Sequence, residues 1–412
     1  MELLSIAKMA LYGIFLNYYC YYVVTGSFIP YGTVLFFGIA LGCVGLCMLK
    51  DRLVWVGYEV RCWLLYIALS IATMGFAIDS EYAFDSILKF AQRLLIIIMI
   101  VYICEKENSI KFALRLLAVD AIGCACAVLY TIDDIQLKLD ISSGANLSAN
   151  DTGALMAFGC FAAMFAFGNR NKTSLFTTLF KFAAIIAMIT VIFLAGSRKS
   201  ILAVIILITL IVIMNGLDYL KHSTYAKLFV FSALGVVAIC FVVENLAPYA
   251  METNLYTRLF GRGVERTADS DEVRIELYMQ ALESFLKNPI AGLGFNNFVL
   301  KYGNYTHSTY AEPFACSGLI GLVYLAPYIR MLKRQIELIK LNRYNPMECM
   351  KQKEMLAFYI SFLFVAVGIP YMYKDNPCIV LALFIASQYI SYNKLYNKRH
   401  IEERIEHGKE TD

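Results

Sequence analysis

Apolar runs of about twenty residues recur along this chain, divided by short polar stretches and once by a long one. A run of that length crosses a hydrocarbon core of roughly 30 Å as a helix. Such runs occupy 8–24, 29–49, 60–79, 84–104, 113–132, 151–168, 175–195, 200–217, 226–246, 308–329, 355–370 and 377–394. They predict an all-α fold, a polytopic membrane helix bundle of about 12 transmembrane helices. The long interruption runs from Pro248 to Thr306 and falls between helices 9 and 10. A connection of about sixty residues far exceeds a usual loop and points to function. Inside it, Ile275, Tyr278, Met279, Leu282, Phe285 and Leu286 recur at helical spacing. They predict an amphipathic helix, capped by Asp269 with Glu272 and stopped by Asn288-Pro289. Four segments follow: 1–247 with helices 1–9, the loop 248–306, helices 10–12 over 307–394, and a tail at 395–412.

Composition agrees with the pattern. Of 412 residues, 59% are hydrophobic and 17% charged, and the mean hydropathy is +0.62; a soluble domain is about half apolar. Residues Met1 to Lys8 lack the basic start and cleavage site of a signal peptide, so the first span is expected to stay. Lys and Arg gather at every second connection, with seven in Arg330–Lys353 and five from Lys394 onward. The positive-inside rule then puts both termini in the cytosol and the long loop outside. The net charge of +4 resides mostly in those inner connections and gives no case for nucleic acid. The twelve Cys lie mainly within spans, with no ligand spacing, so neither a disulfide framework nor a metal site is expected.

Candidate chemistry collects on the outer side. The Ala195-Gly196-Ser197-Arg198-Lys199-Ser200 turn places outward cations against the charge bias. Ser197 suits an N-cap, and Arg198 would then sit at a helix N-terminus, where anions bind. Arg274 opens the amphipathic stretch. Pro289-Ile290-Ala291-Gly292-Leu293-Gly294 allows close backbone approach but lacks the ending of a nucleotide loop. Of four His, only His307 maps outside, and imidazole is the usual general base near neutral pH. Arg258, Arg262 and Arg266 recur every fourth residue as a basic face. Tyr302, Tyr305 and Tyr310 are candidate aromatic contacts on the same side. Lys89 and Arg93 lie within the fourth span, with Asp79, Asp85 and Asp120 as candidate partners. Gly318-Leu319-Ile320-Gly321 reads as close helix packing.

The order Gly-Ser-Arg, an Arg before a helix ending in Asn-Pro-x-x-Gly-x-Gly, a His, and Gly-Leu-Ile-Gly resembles the O-antigen ligase and Wzy-type polysaccharide polymerase superfamily over roughly 190–325. In that family Asn often follows the His; here Ser308 does. The resemblance implies a glycosyltransferase of the bacterial cytoplasmic membrane. It would polymerise undecaprenyl-diphosphate-linked oligosaccharide on the outer face, for capsule, exopolysaccharide or O-antigen. Carried over by position, Arg198 and Arg274 grip the diphosphate and His307 takes the acceptor proton. Membrane lipids, a flippase and a chain-length regulator are the implied partners, with no cofactor. Attack opposite the leaving group makes the reaction inverting.

Three other readings compete. A ligase moves finished glycan to lipid or protein. A lipid-linked glycan flippase or secondary transporter places its ionisable groups near the midplane of internal repeats, whereas here they cluster outside. Metal-dependent membrane glycosyltransferases carry acids in the first outer loop; Thr25–Ile29 has none.

Overall fold

The computed structural model describes residues 2–17, 21, 29, 31–51, 57–130, 149–167, 174–195, 197–215 and 264–409, with the side chains of 149, 264–271 and 398–409 left aside. Among these residues the regular structure is helical. The long helices are α1 (Glu2–Leu16), α2 (Gly32–Asp51), α3 (Tyr58–Ala72), α4 (Ser80–Lys106), α5 (Lys111–Tyr130), α6 (Ala149–Ala166), α7 (Leu175–Leu194) and α8 (Arg198–Asn215). They are followed by α9 (Val264–Lys287), the short α10 (Phe298–Tyr302) and α11 (Ala311–Ser317), then α12 (Gly321–Leu341), α13 (Pro346–Ala366) and α14 (Asn376–Lys409).

Seven described segments are long and apolar enough to cross a membrane: Gly32–Asp51, Ser80–Lys106, Lys111–Tyr130, Leu175–Leu194, Arg198–Asn215, Ala311–Leu341 and Asn376–Asn397. The chain is therefore a polytopic helical membrane protein, with seven such helices among the described residues against the twelve expected. The ninth expected span, 226–246, lies outside the described residues, as do Arg258, Arg262 and the side chain of Arg266.

Local chemistry sets the helix ends. The Asp79 carboxylate accepts the Tyr82 N–H at 2.9 Å and starts α4. Asn345 does the same for Glu348 at 3.3 Å, with Pro346 at the first position of α13. Two expectations need correction. The span drawn at 308–329 is broken: α11 ends at Ser317, a 3-10 turn covers Gly318–Ile320, and α12 runs on to Leu341. Gly318 has φ +58°, and a Cβ there would meet the Pro289 carbonyl oxygen at 2.4 Å. The second concerns Asp269 and Glu272. They lie inside α9, which begins at Val264, so they do not cap it.

One apolar core joins the bundle, with α5 against α6, α8 against α13, α4 against α14 and α12 against α3. A smaller cluster of Leu277, Ala281, Leu293, Phe298, Ala315 and Cys316 seats α9 on α11. The seated face of α9 is thus Leu277, Ala281 and Ser284. Ile275, Met279, Leu282 and Leu286, four of the six residues of the expected apolar face, stay half or more exposed.

Candidate active site

The ends of several helices meet around residues 305–312. His307 adopts the left-handed backbone, φ +57°, a conformation that costs a non-glycine residue roughly 1 kcal/mol or more and survives only where its neighbours enforce it. They do so here. The Thr306 N–H donates to Glu312 Oε2 at 2.7 Å, and Ser308 Oγ accepts the N–H groups of Tyr310 and Ala311 at 3.2 and 3.3 Å. Ser308 is therefore the residue that starts α11, a role open to Ser and Asn alike. Thr309 donates its N–H to Ala366 O at 2.9 Å, and its hydroxyl accepts the Tyr371 N–H at 3.0 Å. Glu312 is fully buried, and Tyr373 donates its hydroxyl to Oε1 at 3.1 Å. The loop is clamped between α11 and the turn that follows α13.

The Asn-Pro-x-x-Gly-x-Gly segment supplies a second clamp. The Leu293 and Gly294 N–H groups donate to Ala315 O and Cys316 O at 3.0 and 2.9 Å, and the Leu319 N–H to Pro289 O at 2.7 Å. Gly292, at φ +65°, leaves no room for a Cβ: one would lie 2.4 Å from the Cys316–Ser317 backbone. Asn297 reaches the Asp79 N–H at 2.7 Å, and Asn296 reaches Tyr82 and Ser86. These contacts fasten the outer loop to the start of α4.

Cations surround the imidazole. Burial lowers the His307 pKa, and Arg274, Lys199 and Lys374 lower it further, to about 4. His307 is thus neutral at pH 7. Lys374 joins Asp151 at 2.6 Å and stands over the Tyr305 ring, 5.6 Å from its centroid. Burial opposes the Lys374 ammonium, but Asp151 and Tyr305 outweigh it and the pKa rises, so Lys374 stays charged. Burial likewise raises Tyr305, whose ring lies 4.6 Å from that of His307. Lys199 lies along Gly368, where a Cβ would strike its side chain. The starts of α6 and α8 are side by side. Gly153 leaves only the space that the Ser197 and Ser200 hydroxyls need, themselves 2.8 Å apart.

The sequence candidates thus divide. His307, Arg274 and Tyr305 come together. Arg198 opens α8 as expected, but its neighbour Lys199 is among the largest cationic influences on His307. Tyr302 instead shares a hydrogen bond with Ser284 at 3.1 Å, and Tyr310 donates to Leu363 O at 2.8 Å. Arg93 finds a partner that was not among the sequence candidates. It binds Asp375 at 2.7 Å and so holds the turn bearing Lys374, while Lys89 pairs with Asp85 at 2.6 Å as expected. Lys374, Asp151 and Glu312 received no role from sequence. The signal for Lys374 was present, since the expected topology puts it on the same side as the Arg198-Lys199 turn and the long loop.

A helical membrane bundle with a cationic, histidine-bearing loop is the class that this geometry defines. Residues 183–326 match the family model described as O-antigen ligase, which includes Arg198, Arg274 and His307. The resemblance seen in the motifs is borne out over that segment, where this helical membrane protein is similar to the O-antigen ligase family. No curated protein matches. A solved structure described as "Structural coordination of polymerization and crosslinking by a peptidoglycan synthase complex" aligns with 83% of this chain and 99% of its own, at 15% identity and TM-score 0.39. A likeness that low carries no argument about function.

Proposed function

We propose that this chain polymerises oligosaccharide repeat units carried on undecaprenyl diphosphate, at the outer face of the bacterial cytoplasmic membrane. The observation that carries this reading is a neutral His307 enclosed by Arg274, Lys199 and Lys374. A diphosphate leaving group needs cations that do not leave with it, and guanidinium and ammonium groups in a water-poor site supply them. An acceptor hydroxyl needs a base that is unprotonated, and a neutral imidazole is one.

In the proposed step the acceptor oxygen bonds to the anomeric carbon as the bond from that carbon to the diphosphate oxygen breaks. The electron pair leaves with the diphosphate, held by Arg274 and Arg198 with Lys199 and Lys374 beside them. The proton passes to His307. Attack from the face opposite the departing diphosphate inverts the anomeric centre. The basic face of Arg258, Arg262 and Arg266 is assigned to guiding the donor, and Tyr305 to stacking against a sugar ring. The proposed step uses no metal, since Arg274, Lys199 and Lys374 near His307 are assigned the charge a metal would carry, and EDTA is expected to leave turnover unchanged.

His307→Ala tests the reading in membranes supplied with the lipid-linked repeat unit. Folded protein is expected to persist while chain elongation falls by about 10²–10⁴-fold. Long glycan made at the normal rate would sink the mechanism. Single repeats accumulating in the variant identify a polymerase; long chains left unattached identify a ligase.

A further inference from the structure

A cavity lies at the end of the bundle remote from His307. The outer ends of α6, α13 and α14 carry Asp151, Ala366 and Asn376, beside the 305–309 loop and Lys374. The cavity is lined instead by Phe161–Phe167, Glu348–Met355 and Ser387–Lys394, from the opposite ends of the same helices. At about 1.5 Å per residue, that separation is roughly 15–25 Å.

The cavity measures about 370 Å³ and is lined by Lys111, Lys181, Lys351 and Lys394 against Glu348 and Glu354, an excess of two positive charges. Lys181 is 1% exposed and donates to Met164 O at 3.1 Å. One wall is preformed by a chain of amides. Gln388 donates to Gln335 at 3.2 Å, Gln335 to Gln352 at 2.8 Å, and Gln352 to Ser391 at 3.0 Å. The other walls are Phe161, Met164, Phe165 and Met355. Phe167 is shared with an open groove lined by Arg115, Phe176 and Phe180. Phe176 is 79% exposed there.

We propose that cavity and groove form one site for a single anionic phospholipid. Its phosphate sits among the lysines, and an acyl chain runs past Phe167 along Phe176 and Phe180. Cations at the end of a span beside an apolar groove match the two chemistries of such a lipid.

Native mass spectrometry of the intact protein in detergent with added phosphatidylglycerol tests this. One retained phosphatidylglycerol per chain is expected, with phosphatidylcholine lost at the same collision energy. Lys111→Gln with Lys394→Gln, both exposed and tolerant of change, is expected to weaken retention about 25-fold, roughly fivefold per lysine. Lys333→Gln with Lys340→Gln, exposed cations outside the cavity, is expected to leave it unchanged. Equal retention of phosphatidylcholine, equal loss in the control pair, or equally tight binding of soluble glycerol phosphate would overturn the proposal.

Discussion

At the scale of the residue, His307 couples a backbone angle, a set of cations and a proton. Its pKa of about 4 belongs to the site without donor, where three cations oppose the imidazolium. In the proposed function a bound diphosphate offsets those cations, and His307, lowered by burial and by them, becomes a stronger base as the donor arrives. The profile of kcat/KM, which reports the free enzyme, is accordingly expected to show no acid limb from His307 down to about pH 5, while the kcat profile shows one at higher pH. Superimposable limbs would contradict this coupling. The sign for stability follows from the same shift. The folded pKa lies below the unfolded value of about 6.5, so between those values the unfolded chain binds more protons and stability falls as pH falls. Thermal unfolding of wild type and His307→Ala from pH 7 to pH 4 checks it, with the slope from this group absent in the variant. Lys374→Gln is expected to lower kcat/KM by about 10- to 100-fold, the range for a charge-assisted contact. Sequence exposed His307 because outward histidine is scarce here. It did not expose the Lys374–Asp151 pair, whose partners are 223 positions apart.

At the scale of the element, glycine and α9 decide whether the site exists. Gly292→Ala places a Cβ 2.4 Å from the Cys316–Ser317 backbone and asks alanine to hold φ +65°. A loss of about 3 kcal/mol is expected, read as a lower unfolding midpoint and as early proteolysis of the 264–306 region. The helical character of α9 was legible from the 3.6-residue period of its apolar positions. Its seated face was not, because Leu277, Ala281 and Ser284 owe their burial to α11 and to the Gly292 turn rather than to hydrophobicity. The break at Gly318 was equally hidden, since an apolar stretch reads the same whether or not its backbone turns.

At the scale of the whole molecule, the bundle is tied by polar pairs distant in sequence. Arg93 and Asp375 stand 282 residues apart, and Arg334 meets the buried Glu59 at 3.3 Å. Removing one partner of a largely buried pair leaves an uncompensated charge. Arg93→Met is expected to cost about 2 kcal/mol and to weaken turnover, and Arg93→Met with Asp375→Asn to recover most of the stability in a denaturation series. Recovery with Asp120→Asn instead would contradict the pairing found here. The succession of spans was legible because lipid imposes one length on all of them. The pairings between spans were not, because hydropathy is indifferent to which apolar helix adjoins which.

The exposed Ile275, Met279, Leu282 and Leu286 stripe begins one residue from Arg274. A helix with such a stripe rests on a bilayer surface, which sets its arginine at the depth of lipid headgroups. In the proposed function, a donor anchored by its own hydrocarbon tail then meets the site by lateral diffusion and never passes through water. The search is two-dimensional, and saturation is governed by the mole fraction of donor in the bilayer rather than by its bulk concentration. Diluting donor with inert lipid at constant bulk amount is therefore expected to slow the reaction as a competitive dilution would.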